Sequence, residues 1–507
     1  MSLLTQRYSE HIVGKISCFD RVVITGTLPD VCHSRAITSF LYDKRVRIFD
    51  FAKWAEPFRD QIRDNAERVA KEAGLEIEYI RKKNFRKEEK IKSILAERGD
   101  HAGLVHIFSA LEPCSSFRPW HDKHTGKTFL KGDSGKCLHY YFYFVDEDLG
   151  LCYLRVPTWA PFRLQFYFNG HEMLARELKK RSMGFTLVEN AFHTIDGFSQ
   201  AQRLADGISP KKLHRILDQV ARRYCPILGH FPSGVHWSLI QVEYATDIIF
   251  RSREELQALY EVLSRTAIHT VKPEDVATFL GRKLHPLYQG EVGNGFSTRI
   301  EGTRIKHVMG RVCVKMYDKH GFILRIETTA NDVTFFKHYR KVEHRNGSSQ
   351  MKFAPMKKSI YSLRPLREAM AAANDRYLRF LSDLDDPTGG IKRLDKISRP
   401  VRRNDRSYRG FNLFSYEDLR LFETIARGEF TISGFQNRHL RSLIPGKNTG
   451  QVSRMLKRLR LHGLIKKVGR TYKYYLTRLG QTLALTALKL RELIVIPALA
   501  EGALMRA

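Results

Sequence analysis

Cysteine is scarce in this sequence, and no two cysteines lie close together. The seven cysteines are Cys18, Cys32, Cys114, Cys137, Cys152, Cys225 and Cys313. An odd number at such wide spacing predicts neither a disulfide framework nor a cysteine-based zinc site. The four histidines at positions 121, 124, 139 and 171 also lack a metal-binding spacing. A reducing compartment fits this composition best.

Long apolar runs are missing as well. The first residues, Met1 to Arg7, lack the hydrophobic core of a signal peptide, and no apolar run is long enough to cross a bilayer. We therefore expect a soluble, cytoplasmic protein with no membrane partner. No internal repeat is evident.

Acidic residues are few relative to basic ones. The 507 residues include 86 Lys and Arg against 54 Asp and Glu, a formal net charge of +32. Hydrophobic residues make up 43% of the chain, with 31 Phe and 21 Tyr, which suffices for packed cores. The positive charge is thus expected on folded surfaces, and nucleic acid is the natural partner.

Near its end the chain has the pattern of a basic helix followed by a short hairpin. Val452, Met455, Leu456 and Leu459 form one apolar stripe at helical spacing, and Thr449 is placed to cap the first turn. Beyond the helix, residues 464–468 and 471–476 are typical of two strands joined at a turn. Helices are predicted ahead of it at residues 416–427 and 434–443. This order predicts a winged helix-turn-helix.

The segment resembles MarR-like bacterial winged-helix regulators, especially in residues 451–454, 459–466 and 474–480. The resemblance implies that the basic helix enters the major groove of DNA while the wing contacts phosphates. The predicted nucleic-acid-binding residues here are Gln451, Arg454, Lys457 and Arg458 on the helix and Lys467, Arg470 and Lys473 on the wing. A winged helix used for protein contacts is the alternative. DNA is the favoured ligand, and structured RNA the other.

The remaining patterns predict a multi-domain α+β protein. We expect an N-terminal α/β segment at residues 1–100, a β-rich and helical body with an antiparallel sheet at 101–382, a linker at 383–409 and the winged helix-turn-helix at 410–492. The predicted linker is rich in Asp, Gly, Pro, Arg and Ser. Residues 410–490 contain 15 Lys and Arg against 4 Asp and Glu, a net charge of +11, so most of the excess charge lies in the body.

Six acidic residues of the body are candidates for metal-dependent phosphodiester chemistry, which needs at least two converging carboxylates. They are Asp20, Glu243, Asp247, Glu301, Asp318 and Glu327. Glu243 and Asp247 are four residues apart, which on a helix places both on one face, and they are our candidate ligands for Mg²⁺ or Mn²⁺. Ordinary ion pairs or helix caps would also explain these residues.

The order of residues 19–25, 242–247, 314–319 and 324–327 resembles that of plasmid and filamentous-phage rolling-circle replication initiators. In that family, a Lys-x-Tyr-Asp-Lys strand and an Arg-x-Glu strand border a metal-dependent nicking site. The resemblance implies catalytic roles for Asp318 and Glu327. No tyrosine lies between residues 298 and 314, where the family has its nucleophile, so Tyr317, or alternatively Tyr339 or Tyr244, would have to take that role. A core or base-stacking role for such a tyrosine stays open.

Strands are predicted at residues 138–145, 151–156 and 164–168, and mainly helices from residue 172 to about 284. Residues 138–171 combine aromatic and basic side chains. Arg155 and Arg163 are predicted to hold phosphates there while bases stack nearby, and the phenylalanines of the same strands are alternatively sheet core. Our first hypothesis is therefore a mobile-element or plasmid protein that recognises DNA through its winged helix and nicks it, or initiates replication or transposition, through the body. The alternative is a non-catalytic binder, either a transcriptional regulator or the protein partner of a structured RNA.

Overall fold

The computed structural model describes residues 3–499 apart from residues 83, 286, 300, 301, 345, 385–387, 470, 497 and 498. The chain divides into two compact units, residues 1–385 and 386–507. Helices and strands are both abundant, and the predicted α+β class is confirmed. No helix among the described residues has the length and apolar character needed to cross a bilayer.

The first unit contains most of the strands. They are β1 Ile12–Thr27, β2 Ile77–Tyr79, β3 Gly103–His121, β4 Thr128–Asp146, β5 Gly150–Pro157, β6 Leu164–Phe168, β7 Phe185–Val188, β8 Ala191–Ile195, β9 His236–Phe250, β10 Val292–Arg299, β11 Gly302–Met309, β12 Val312–Lys319, β13 Ile323–Ala330, β14 Lys337–Glu343 and β15 Ser349–Pro355. Its helices are α1 Leu3–Arg7, α2 Ser34–Asp43, α3 Phe51–Glu72, α4 Lys87–Arg98, α5 Gly170–Lys179, α6 Phe198–Asp206, α7 Pro210–Tyr224, α8 Arg253–Thr270, α9 Pro273–Phe279 and α10 Leu363–Leu384.

Within the described residues, eleven of these strands form one sheet in the order β10-β11-β12-β13-β9-β1-β6-β5-β4-β3-β2. Among the described strands of this sheet, β2 and β3 are the one parallel pair. Residues 1–100 therefore do not form a separate domain as predicted, because β1 lies in the middle of the sheet and β2 at its edge. The long strand β9 also falls in a stretch expected to be mainly helical. It pairs with β1 on one side and β13 on the other.

Helices cover both faces of the sheet. Side chains of α2, α3 and α7 to α10 pack on one face in the largest core of the unit. On the opposite face, α5, α6 and β8 pack against β1, β9 and β13, and α4 packs on β3 to β5. Strand residues alternate between these layers, as Ile248 and Ile249 do on β9. Phe142, Phe144, Phe166 and Phe168 are buried in the largest core.

The second unit begins with a short helix and a small hairpin, followed by helices, a second hairpin and another helix. Its described elements are α11 Thr388–Ser398, β16 Val401–Arg403, β17 Arg406–Tyr408, α12 Tyr416–Ile425, α13 Gly428–Ser433, α14 Asn437–Leu443, α15 Thr449–Leu461, β18 Ile465–Lys467, β19 Tyr474–Leu476 and α16 Arg478–Leu490. The predicted linker at 383–409 is wrong in its described part, because α11, β16 and β17 lie there. Helices α12, α14 and α15 and the hairpin β18–β19 share a core of their own.

Candidate functional site

A β-bulge in β1 determines where Asp20 points. Phe19 pairs with Tyr244 of β9 and Arg21 pairs with Glu243, so Asp20 is an extra residue without a partner in the ladder. Phe19 packs in the largest core, whereas Asp20 is buried on the opposite side, toward α5. The bulge therefore directs a carboxylate into the interior of the unit.

Neighbouring strands add further charged residues to the same face of the sheet. Strand β9 contributes Glu243 and Asp247, and β13 contributes Arg325 and Glu327. Registers place Arg325 beside Asp247 and, on β12, Lys315 beside Glu327. Residues near positions 20, 243 and 327 therefore meet through strand pairing, although they lie far apart in the sequence.

Arg325 lies at the centre of the buried part of this site. Its Nε and Nη2 atoms each lie 2.6 Å from an oxygen of Asp247, forming a bidentate pair, and Nη2 also donates to the carbonyl of Asn190 at 2.8 Å. Nη1 lies 3.5 Å from Oδ2 of Asp20. Burial opposes ionisation of Asp247, but Arg325 and His171 together lower the pKa of Asp247 to about 2. Both carboxylates are therefore ionised near neutral pH.

His171 completes the buried cluster from the first turn of α5. Its Nδ1 lies 3.2 Å from Oδ1 of Asp20, and its Nε2 lies 3.4 Å from Oδ2 of Asp247. Burial alone would lower the pKa of His171, but Cys18 and the two carboxylates raise it well above its usual range. Burial similarly opposes ionisation of Asp20, yet Arg325 and His171 hold the pKa of Asp20 far below normal.

A close approach of α5 to β1 positions His171. Asn169 caps α5, because its side-chain oxygen accepts from the backbone N–H of His171 at 2.8 Å. A Cβ atom on Gly170 would lie 2.1 Å from the carbonyl oxygen of Phe19. Only glycine therefore fits at Gly170, and the cap and the glycine together hold the ring against the bulge. No local pattern in the sequence identifies His171, because its partners come from β1 and β9.

Three carboxylates form a cluster suited to a metal ion. Asp20, Glu243 and Glu327 can each offer one oxygen, and these oxygens all lie within 4.8 Å of one another. Burial and the neighbouring Glu327 raise the pKa of Glu243, although Lys315 lowers it. Carboxylate oxygens at such spacing are the ligands that Mg²⁺ and Mn²⁺ prefer. The cluster therefore has the chemistry of a divalent-cation site.

Two other side chains also bind these carboxylates. Nζ of Lys315 lies 2.5 Å from Oε1 of Glu327 and 3.4 Å from Oε1 of Glu243. The phenol of Tyr317 donates to Oε2 of Glu327 at 2.6 Å. Burial and the negative charge of Glu327 raise the pKa of Tyr317 well above its usual range. Tyr317 is thus held as a neutral hydrogen-bond donor in this arrangement.

The structure regroups the acidic residues predicted from the sequence. Glu243 and Asp247 lie on a strand, not on a helix, and two strand repeats separate them by about 13 Å. They share a face of β9, but Glu243 groups with Asp20 and Glu327 whereas Asp247 binds Arg325. Glu301 lies outside the described residues.

Asp318 does not join Glu327, contrary to the expectation from the rolling-circle resemblance. Its Oδ1 accepts from the backbone N–H of Gly321 at 2.9 Å, within the β12–β13 hairpin. Strand alternation places Asp318 on the face opposite Tyr317 and Lys319. Two adjacent residues of one strand cannot both face the cluster, so Asp318 is wrong as a catalytic partner of Glu327.

The predicted apolar stripe of the basic helix α15 packs in the core of the second unit, with Val452, Leu456 and Leu459 buried. The residue that caps this helix is Asn448, one position before the predicted Thr449. Its Oδ1 accepts from the backbone N–H of Gln451 at 2.9 Å, and Oε1 of Gln451 accepts from the N–H of Asn448 at 2.8 Å. The side chain of Gln451 therefore serves the cap.

Arg458 is not a groove-facing residue, contrary to the prediction. It is only 8% exposed, and its Nη1 and Nη2 atoms bind the two oxygens of Asp418 at 2.6 and 2.9 Å. Nε and Nη2 also donate to the carbonyls of Arg409 and Gly410. Its position flanks the apolar stripe, so the guanidinium is drawn into the core, where Asp418 neutralises it.

Other predicted binding residues remain at the surface of the second unit. Arg454 is exposed, and Lys457 is half-buried, with its Nζ 5.5 Å from the centre of the Tyr408 ring. Lys467 and Lys473 on the wing are half-buried. Arg470 lies outside the described residues. Arg454, Lys457, Lys467 and Lys473 therefore remain candidates for DNA contact.

Arg155 and Arg163, the two arginines of the first unit that were predicted to hold phosphates, differ in their surroundings. Arg155 is half-buried and lies 3.2 Å from Glu112, which also accepts hydrogen bonds from Tyr141 at 2.8 Å. Its charge is neutralised internally, so its predicted role in phosphate binding is not supported. Arg163 is exposed, and its phosphate contact stays a prediction.

Comparison of the chain with protein-family models, with curated proteins and with solved structures finds no match.

Proposed function

We propose that this protein binds DNA through its winged helix-turn-helix and cleaves or transfers a DNA strand at the cluster of Asp20, Glu243 and Glu327, using Mg²⁺ or Mn²⁺. The observation that carries the proposal is the convergence of these three carboxylates from three adjacent strands. The resemblance to replication initiators supports a role in a mobile element or plasmid, in replication initiation or transposition.

The energetics of the cluster support a functional role. Burying like charges side by side is unfavourable, and ion pairs that replace apolar packing rarely increase stability. Clusters with strongly shifted pKa values occur preferentially at functional sites. Here the pKa of Asp20 is lowered and that of Glu243 is raised. The pKa of Lys319 is lowered to about 8, chiefly by burial. A protein that needed only a stable sheet would have apolar residues at these positions.

One buried donor of the site is left for a further ligand. Nη1 of Arg325 is fully buried beside Asp20 and has no hydrogen-bond partner among the described residues. A guanidinium N–H suits an anionic oxygen such as that of a phosphate. The cluster thus offers carboxylates for a cation and, next to them, a donor for an anion. This combination is typical of sites for phosphoryl chemistry.

Each residue has a distinct role in the proposed site. Asp20, Glu243 and Glu327 would hold the divalent ion, which when bound supplies Lewis-acid stabilisation and an activated water or hydroxyl. Arg325 and His171 keep Asp20 ionised, because both hold its pKa low. Lys315 balances the charge of Glu243 and Glu327.

The second unit supports DNA as the target. Its net charge of +11 over residues 410–490 lies on a winged-helix arrangement, and Arg454 projects from the exposed side of α15. In such arrangements the corresponding helix reads base edges in the major groove while the hairpin contacts the backbone. We assign target recognition to α15 and the wing.

Metal binding and strand cleavage test the proposal together. Mn²⁺ binding by the full chain should be measured by calorimetry, and cleavage should be measured on single-stranded and supercoiled DNA. We expect Glu327→Gln and Asp20→Asn to abolish both signals. Asp318→Asn is the matched control, because Asp318 faces away from the cluster and asparagine retains an acceptor oxygen. If the wild-type protein with Mn²⁺ leaves every DNA intact, the enzymatic half of the proposal is lost.

A non-catalytic nucleic-acid binder is the second candidate, and one observation favours it. The carboxylates of Asp20, Asp247, Glu243 and Glu327 are matched by Arg325, His171, Lys315 and Lys319, so the cluster has a full set of cations from its own chain. On this alternative, Glu327→Gln lowers stability and leaves nucleic-acid binding unchanged. Identifying the nucleic acid that copurifies, with and without nuclease treatment, distinguishes DNA from structured RNA.

A further inference from the structure

Strands β14 and β15 form a two-stranded ribbon that is not part of the large sheet. They pair antiparallel from Lys337 and Pro355 at the base to Glu343 and Ser349 at the far end. The base is anchored, because Phe336 and Met356 are buried in the largest core and the N–H of Met356 donates to the carbonyl of Phe336 at 2.9 Å. The ribbon is therefore held firmly at one end.

One face of this ribbon is aromatic and exposed. The register places Tyr339 opposite Phe353 and Lys341 opposite Met351, all on the same face. Tyr339 is 72% exposed, Met351 64% and Phe353 54%. The two ring centres lie 5.5 Å apart. Large apolar side chains grouped in this way at the surface indicate a binding face.

The ribbon is also strongly basic. Residues 337–358 contain seven Lys and Arg against a single Glu. Lys337 and Lys341 lie on the aromatic face itself. An acidic polymer complements this charge, and a polymer that also presents flat aromatic groups complements the rings between the cations. Nucleic acid has both properties.

A cavity of about 400 Å³ lies at the base of the ribbon, next to Phe353. The cations that line it are Arg282, Lys283, Lys337 and Arg376. None of the four forms an ion pair with a carboxylate in the part of the chain that the structure describes. The guanidinium of Arg282 donates to the carbonyl of Phe335, and that of Arg376 donates to the carbonyl of Phe279 at 2.9 Å. Arg282 and Arg376 are thus held in place at the cavity, and Lys283 and Lys337 are exposed beside them.

We propose that this face of the ribbon and the adjoining cavity bind single-stranded DNA. Unpaired bases stack on Tyr339 and Phe353, and the phosphates lie against the cations of the cavity. A single strand is favoured over a duplex because stacking on an aromatic side chain needs the flat face of a base, which a duplex hides between its neighbours. The choice of DNA rests on the proposed function, whereas the residues belong to neither the carboxylate cluster nor the winged helix.

Binding of the full chain to fluorescent oligo(dT) tests this inference. The double variant Tyr339→Ala/Phe353→Ala is expected to bind about 10- to 100-fold more weakly, with an unchanged salt dependence. Lys283→Gln and Arg376→Gln are each expected to reduce the slope of log affinity against log salt by about 0.7. The matched control is Phe49→Ala/Tyr79→Ala, which removes two exposed aromatic residues elsewhere in the same unit. The control should bind as the wild type does.

Two further ligands make the outcome decisive. Preference for oligo(rU) over oligo(dT) would overturn the assignment to DNA, and an equal loss of duplex affinity in the ribbon double variant would overturn the assignment to a single strand. Unchanged oligo(dT) affinity in that variant also contradicts the inference. The proposed function is contradicted by separate results: Arg454→Ala leaves duplex binding unchanged and Glu327→Gln leaves cleavage unchanged.

Discussion

At the scale of single residues, each unit contains a buried bidentate arginine–aspartate pair, and their surroundings differ. In the second unit, every nitrogen of the Arg458 guanidinium is bound by Asp418 or by backbone carbonyls. In the first unit, Arg325 binds Asp247, and its Nη1, 3.5 Å from Oδ2 of Asp20, has no hydrogen-bond partner among the described residues. An arginine whose nitrogens are all hydrogen-bonded stabilises the fold, whereas an arginine with a donor that has no hydrogen-bond partner can also bind a ligand.

The Arg325–Asp247 pair makes the stability of the first unit dependent on pH. Because the pKa of folded Asp247 is lowered to about 2, its contribution is present above the unfolded pKa of about 3.9 and is lost as the pH falls from about 5 toward 2. As the pH falls over this range, we expect the free energy of unfolding of Asp247→Asn to decrease by about 2 kcal/mol less than that of the wild type. Urea unfolding between pH 2.5 and 7 measures it. An equally steep loss in the variant would contradict the assigned pKa, and Asp375→Asn, at an exposed ion pair with Lys15, is the control.

At the scale of elements, the site depends on the contact between a bulged strand and a helix that starts on it. The extra residue in β1 turns Asp20 toward α5, and α5 approaches β1 closely enough that Gly170 contacts the backbone of Phe19. His171 then reaches both Asp20 and Asp247. A side chain at Gly170 would separate the two elements.

Gly170→Ala is therefore expected to destabilise the first unit by about 1 to 3 kcal/mol, because the new methyl group overlaps the carbonyl of Phe19. It should also displace His171, which is visible as a shift of the imidazole resonances in an NMR titration. Gly135→Ala is the control, since a Cβ there meets no atom within 4 Å and its strand position tolerates alanine. Equal stability of the two variants would show that α5 does not press on β1.

Local sequence patterns predicted the helices and strands better than the contacts between them. Strands such as β5 and β6 alternate between core and surface and were recognisable, as was the apolar stripe of α15. Strand β9 is central, and every residue from Tyr244 to Phe250 is buried, so it lacks the alternation that identifies a half-buried strand. The bulge at Asp20 shifts the alternation of β1 by one residue. The cluster of Asp20, Glu243 and Glu327 depends on pairings over hundreds of residues, which no local pattern contains.

The predicted binding residue Arg458 shows the same limit of local sequence patterns. Helical periodicity correctly placed Val452 and Leu459 in the core, but it treats every basic residue off the stripe as exposed. The stripe is bordered by Arg458, and Asp418 from α12 supplies the partner that makes burial of this charge tolerable. The sequence of α15 alone does not indicate that another helix supplies a buried partner.

At the scale of the whole molecule, the chain consists of two units that each have their own hydrophobic core. The basic charge is shared between them, since residues 410–490 hold +11 of the total +32. The proposed target recognition lies in the second unit, and the carboxylate cluster and the ribbon lie in the first. Each function can therefore be altered by substitution without changing the core of the other unit.

Separate cores predict two unfolding transitions. We expect Arg458→Ala to lower the free energy of unfolding of one transition by about 3 to 5 kcal/mol, because it leaves Asp418 buried without its partner, and to leave the other unchanged. Arg454→Ala should change neither by more than about 0.5 kcal/mol while weakening binding to duplex DNA. Urea denaturation followed by circular dichroism measures both. A single transition that shifts as a whole would mean that the two units unfold together.

The position of β1 in the sheet also bears on biosynthesis. Its partner β9 ends at Phe250 and the strand that carries Arg325 and Glu327 ends at Ala330, so a ribosome must complete about two thirds of the chain before Asp20 meets its neighbours. Such distant pairings form slowly and leave early strands waiting for partners. A nascent chain that stops before β13 lacks both Arg325 and Glu327, so translation itself delays the proposed strand-cleaving activity until the first unit is nearly complete.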